Sequence, residues 1–271
     1  MNTNQQRVVL VTGASSGIGR ACATHLHQRG YRVFGANRNP RADAPFATLR
    51  MDVVDEQSVQ DGIHGIVEQT GRLDVVVNCA GFSSVGAVED HSLAEAQAQF
   101  DTNFFGRLRV CRAALPVMRQ QRSGHIVNIG SIGGMVGLPF QGVYSAAEFA
   151  MTGLTEALRF EVRSFGVHVS LIRAGDANTE NTIHRHHAQA AQQNSVYAQQ
   201  YRTTVNIMEK DEHDGIKPDK IARLVEKVIT SKSPRGVYTV GPIFEAFAAT
   251  ARPFVPARFF EWALRKYYRL G

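Results

Sequence analysis

Three side chains between residues 131 and 148 could do chemistry together. Ser131 offers a hydroxyl, Tyr144 thirteen residues on offers a phenol, and Glu148 four residues further offers a carboxylate. A phenol placed beside a reacting group can give up or take a proton. Residues four apart share one face of a helix, so the spacing predicts Glu148 on the side of Tyr144. A nearby anion disfavours tyrosinate and raises the phenol pKa, and every tenfold loss of acidity corresponds to about 1.4 kcal/mol. The spacing therefore predicts a phenol that keeps its proton.

A second constellation lies near the N-terminus. Thr12-Gly-Ala-Ser-Ser-Gly-Ile-Gly19 falls between a predicted strand, Arg7–Thr12, and a predicted helix, Gly17–Arg29. Gly13 allows a tight exit from the strand, Gly17 lets backbone approach a pyrophosphate, and Gly19 allows close helix–sheet packing. The helix N-terminus adds free N–H groups and positive partial charge for the anion. In this strand–turn–helix context the turn reads as a dinucleotide site, with Ser15, Ser16 and Ile18 as further candidate contacts. At the end of the next strand an acidic residue would bind a ribose 2′-hydroxyl and repel a 2′-phosphate. The chain has Asn37 and Arg38 there, and guanidinium pairs well with phosphate, so NADP is expected rather than NAD.

Strands alternating with long helices must position these groups. Short, largely apolar runs predict strands at Arg7–Thr12, Tyr31–Asn37, Phe46–Met51, Leu73–Asn78, His125–Gly130, Val167–Arg173 and Gly236–Val240. Between them fall helices at Gly17–Arg29, Asp55–Thr70, Ser92–Gln121 with a kink at Pro116, Tyr144–Phe165 and Lys217–Thr230. Such βαβ units make a parallel sheet with right-handed crossovers. The expected fold is α/β: one domain over residues 1–271, a Rossmann-type doubly wound parallel sheet flanked by helices. The polar, Gln-rich stretch 178–215 is expected to cover the substrate as a lid, and 252–271 to form an amphipathic C-terminal helix.

Composition narrows the function classes. The chain has 271 residues, 44% of them hydrophobic, and no apolar run near the roughly 20 residues of a membrane span. Its N-terminus lacks an apolar signal core and its three cysteines show no CxxC spacing, so a reduced, cytoplasmic protein is expected. The net charge is +6, yet no lysine precedes Lys210 and no basic cluster or nucleic-acid motif is visible there. His184, His186 and His187 lack suitably placed carboxylate or cysteine ligands, so no metal is expected and they are read as a solvated helix face. The tail mixes Phe254, Phe259, Phe260, Trp262, Tyr267 and Tyr268 with five cations. Such a helix can pack on the domain, meet a neighbouring subunit, or make peripheral contact with a membrane.

The combined motifs resemble the classical short-chain dehydrogenase/reductase family as far as about Thr179. They are the glycine turn, Asp52-Val53, Asn78-Cys-Ala-Gly81, Asp101-Thr-Asn103-Phe-Phe-Gly106, and Ser131 with Tyr144. The resemblance implies that Ser131 binds the substrate oxygen, Tyr144 passes the proton and Asn103 holds a water of the proton relay. Asp52 and Val53 would meet adenine, Asn78, Ala80 and Gly81 would line the cofactor, and Thr179 would contact the carboxamide. It also implies a homodimer or homotetramer. The stretch from Gly133 to Leu171 is similar to 17β-hydroxysteroid and retinol dehydrogenases, which implies a small lipophilic alcohol or ketone as substrate.

Two positions depart from the pattern. Where the family has a lysine that lowers the tyrosine pKa and holds the nicotinamide ribose, this chain has Glu148. Its carboxylate can still accept hydrogen bonds from ribose hydroxyls, and Arg173 is a candidate source of replacement charge. Where the family has Pro-Gly after the sixth strand, the chain has Ala174-Gly175. Losing an effective base costs on the order of 10²–10⁴ in rate, so alcohol oxidation should suffer more than carbonyl reduction. Lysine at 148 is then expected to raise dehydrogenase turnover. Beside the reductase reading stand two others: a weakly catalytic cofactor sensor or scaffold, and a non-redox enzyme using Tyr144 with Glu148 for proton transfer.

Overall fold

Strands apolar on both faces must be covered on both, and the sheet is built accordingly. The computed structural model describes residues 6–179 and 185–271. The first half contains β1 (Val8–Thr12), α1 (Gly17–Gln28), β2 (Arg32–Asn37), β3 (Ala47–Arg50), α2 (Glu56–Thr70), β4 (Val75–Asn78) and β5 (Ser84–Val85). Next come α3 (Leu93–Phe100), a π-helical turn (Asp101–Gly106), α4 (Arg107–Gln121), β6 (Gly124–Ser131), α5 (Gly142–Val162) and β7 (Val167–Ala174). The last part holds β8 (His186–His187), α6 (Ala198–His213), α7 (Pro218–Thr230), β9 (Val237–Val240), α8 (Ile243–Ala251) and α9 (Ala257–Tyr267).

The main sheet is parallel, in the order β3-β2-β1-β4-β6-β7-β9. Along β1 the side chains alternate between two cores. Val8 and Leu10 join Ile63 and Ile66 of α2 and Val110 and Met118 of α4. Val9 and Val11 join Leu26 of α1 and Ile221 and Val225 of α7. Each such buried side chain contributes about 1.5–3 kcal/mol, so the sheet is a stiff platform for its loops. The strand order reverses at β1 and β4, which opens a crevice at their C-terminal ends.

Three expectations change. The predicted helix Ser92–Gln121 is broken by the π-helical turn, in a form frequent at functional sites. Its start has a capping box, Ser92 and Glu95 each serving the other's backbone N–H. His186 and His187 form a strand rather than a solvated helix face. β8 pairs in parallel with Ser84 and Val85, His186 meets Glu95 at 3.1 Å, and His187 meets the Tyr201 hydroxyl. His184 lies outside the described residues, as does part of the proposed lid. Finally the C-terminal region holds two helices, α8 and α9, joined through a short 3-10 turn at Arg252–Phe254. Periodicity missed α8, whose apolar residues do not fall on one face.

Candidate active site

The turn after β1 accepts no side chains at its glycines. Gly13 and Gly17 have φ of +67° and +51°, a region that favours glycine. A Cβ on Gly13 would come within 3.0 Å of Ala80 backbone, and one on Gly19 within 2.2 Å of the Gly13 carbonyl oxygen. The Thr12 hydroxyl accepts from the N–H groups of Cys79 and Ala80, both at 3.1 Å, which ties the turn after β4 to the turn after β1. Ser16 precedes α1 with extended backbone and makes no side-chain cap bond, so its hydroxyl does not occupy the first N–H groups of the helix.

These turns form one end of a cavity of about 930 Å³. Gly13, Ser15, Ser16, Gly17, Ile18 and Gly19 line it, together with Asn37, Arg38, Asp52, Val53, Ala80, Gly81 and Thr179. Thr179 lies over Gly17, its Cβ 3.5 Å from where a Gly17 side chain would begin. Asn37 keeps a buried Oδ1 with no partner among the described residues, beside the exposed Arg38. A cradle that a Cβ would fill, an uncapped helix N-terminus, an orphaned acceptor and a cation together fit a dinucleotide. Asn78 is the exception among the expected cofactor residues. It is fully buried and donates to Asn128 Oδ1 at 2.9 Å, so it braces β4 against β6 instead of lining the cavity.

At the other end stand Ser131, Tyr144 and Glu148. Ser131 closes β6, its hydroxyl accepting from Gly133 N–H at 3.0 Å and hydrogen-bonding the Tyr144 phenol. Because α5 begins at Gly142, Tyr144 falls in its first turn, half-buried and on the cavity wall. Glu148 is on the expected face but is 1% exposed and lies behind the wall. Arg107 Nη1 donates to both its oxygens, at 3.0 and 2.9 Å, and Asn103 Nδ2 donates to Oε1 at 3.1 Å. The expectation that Glu148 accepts ribose hydroxyls is therefore corrected: its acceptors are taken by Arg107 and Asn103. Asn103 also clamps Phe82, accepting from its N–H and donating to its carbonyl.

The replacement cation is likewise not Arg173. That residue is half-buried on β7, does not line the cavity, and feels the charge of Glu156. Arg107 lines the cavity instead, four residues after Asn103, and its guanidinium lies against Gly81. Its Nη2 is 3.1 Å from where a Gly81 Cβ would stand. Sequence reading missed it, although a buried carboxylate in a stretch without lysine requires an arginine partner.

Burial drives the Tyr144 pKa well above 10.0, and the Glu148 charge adds to the rise. The Ser131 hydrogen bond and Arg107 act in the opposite direction without cancelling it. The phenol is thus a proton donor across the neutral range.

The rest of the lining is acidic and apolar: Asp176 after β7, Asp211 and Glu212 from α6, and Glu245 from α8, with Met208, Phe260 and Leu264. Glu245 accepts from Asp176 N–H at 2.9 Å, Asp211 accepts from the Tyr267 hydroxyl at 2.7 Å, and Glu212 pairs with Arg185. Asp176 is pushed up to about 8, first by burial and then by Glu245. Two carboxyls held together this way share a proton and favour a cation between them.

The chain is similar in sequence and fold to known proteins. The family model described as short chain dehydrogenase matches residues 7–190. The 3-ketodihydrosphingosine reductase of Bacteroides thetaiotaomicron is 38% identical over 98% of this chain and 99% of its own length. Retinol dehydrogenase 8 of Bos taurus is 40% identical over 64% of this chain and 60% of its own. A crystal structure of a short-chain dehydrogenase from Streptomyces avermitilis superposes with a TM-score of 0.81 at 28% identity, covering 96% of this chain and 97% of that one.

Proposed function

The chain belongs to the short-chain dehydrogenase/reductase family, and from that premise we propose that it is an NADP(H)-dependent reductase of a long, lipophilic ketone that carries an amino group. One observation carries the substrate class. The cavity that holds Tyr144 and Ser131 continues between apolar side chains and the Asp176–Glu245 pair. A ketone flanked by an ammonium and an alkyl chain has complementary parts for each wall. The full-length similarity to a protein named 3-ketodihydrosphingosine reductase supports the same class, since that name denotes a long-chain amino ketone.

Each group in the cavity then has its own task. The Gly13–Gly19 turn, Asn37, Arg38 and Thr179 hold the dinucleotide, which supplies the hydride when bound. The Ser131 hydroxyl donates to the carbonyl oxygen and orients it. Tyr144 then delivers its proton to that oxygen as the carbon–oxygen bond becomes single, a task a neutral phenol performs without a base. Arg107 offsets the negative charge left on the phenolate, and Glu148 fixes Arg107 in place. Alcohol oxidation needs the phenolate first, so Glu148 weighs against that direction.

The test is NADPH consumption with a long-chain amino ketone and with the amine-free ketone of equal length. A charge-assisted contact should favour the amino ketone by about tenfold or more in kcat/KM. Equal values would remove the amino-ketone class, and no consumption with any ketone would remove the reductase reading.

A further inference from the structure

α8 and α9 wall the cavity on one side and expose aromatic residues on the other. Ile243, Phe244, Phe247, Phe254, Phe259 and Trp262 are between 54% and 88% exposed. At 3.6 residues per turn, α9 divides into three stripes. Phe260, Leu264 and Tyr267 face the cavity. Phe259, Trp262 and Lys266 form a second stripe, and Arg258, Glu261 and Arg265 a third beside it. A separate concavity on the outside of α9 is lined by Arg258, Glu261, Trp262, Arg265, Lys266 and Arg269 together with Leu270 and Gly271, whose carbonyl oxygens accept from Arg265.

We propose that this face lies on an anionic lipid bilayer, with Phe259 and Trp262 in the headgroup–acyl boundary and the cationic concavity over lipid phosphates. An exposed apolar stripe flanked by cations is the arrangement of a helix lying in a membrane interface. Among the described residues no helix is long and apolar enough to cross a membrane. Charge argues against a second copy of the chain as the occupant. A two-fold interface would set the patch against itself and bring four cations of each copy together. Phe244 of α8 both lines the cavity and is exposed, so the cavity reaches the surface there. The surface stands independently of the reductase reading, and its test does not need activity.

The experiment uses the whole chain with vesicles of phosphatidylcholine alone, or with about a third phosphatidylglycerol. Trp262 is the single tryptophan, so its emission reports this face alone. Co-sedimentation with the anionic vesicles and a blue shift of emission, both reduced by salt, are expected. Arg258→Ser with Arg265→Ser should weaken binding about twenty-fivefold, some fivefold per cation. Phe259→Ser with Trp262→Ser should abolish co-sedimentation yet leave the thermal shift by NADPH unchanged, since neither residue lines the cavity. Failure to sediment with either vesicle, equal binding to both, or indifference to either pair of substitutions would overturn the proposal. So would a blue shift that needs only protein concentration and no vesicles, which would mark self-association.

Discussion

Glu148 removes the cation a lysine would place one turn after Tyr144, and Arg107 returns one from a different helix. The pair is 6% and 1% exposed at its side chains, so neither charge is free to change alone. Breaking a buried pair by removing one partner costs about 3–5 kcal/mol. Glu148→Lys alone would set an ammonium against Arg107, and is expected to destabilise the fold by that order, read as a lower melting temperature, without gaining alcohol oxidation. With Arg107 in this contact, lysine by itself is no longer expected to raise turnover. Combined with Arg107→Met, the repulsion disappears, and this double variant should raise NADP⁺ reduction above wild type. A single variant that melts like wild type would refute the account. Tyr144→Phe should lose on the order of 10²–10⁴ in ketone reduction while keeping the thermal shift by NADPH. With the phenol held above 10.0, kcat for reduction should stay level between about pH 6 and pH 9, as a pH–rate profile at saturating ketone would reveal.

At the scale of elements, the exit of β7 faces the first turn of α8, and that contact brings Asp176 to Glu245. The folded pKa of Asp176, about 8, exceeds its ordinary 3.8, so the folded protein binds the extra proton between those values. Stability from this carboxyl is therefore full below about pH 4 and falls as pH rises towards 8. Asp176→Asn removes the dependence. The variant should match wild type near pH 4 and melt higher near pH 8, while its preference for the amino ketone disappears. Melting curves at the two pH values check the first half, and kcat/KM for the two ketones checks the second. A variant less stable at pH 8 would contradict the sign.

For the whole molecule, the doubly wound order sets both cofactor turns at one crevice. A ligand that binds only the folded state stabilises it by about 2.7 kcal/mol at a hundred times its Kd. NADPH should thus raise the melting temperature more than NADH at equal concentration, and Arg38→Glu should reverse the order. Equal shifts in wild type would remove the argument from Arg38.

Local chemistry made much of this protein legible without coordinates. Gly13, Gly17 and Gly19 carry their backbone demands in their own type, and β1 announces a doubly covered strand through unbroken valine and leucine. The four-residue spacing put Glu148 on the face of Tyr144, because helical period is a property of the chain itself. What the spacing left open was which group would answer the carboxylate. Arg107 is 41 residues away, on a helix whose register depends on the π-helical turn, and only packing against α5 brings them together. The same holds for Asp176 and Glu245, 69 residues apart, and for α8, whose apolar residues are divided between a cavity and the exterior. Residue types and periods fix what each segment can do, whereas pairing between distant charges follows from the three-dimensional path that buries them.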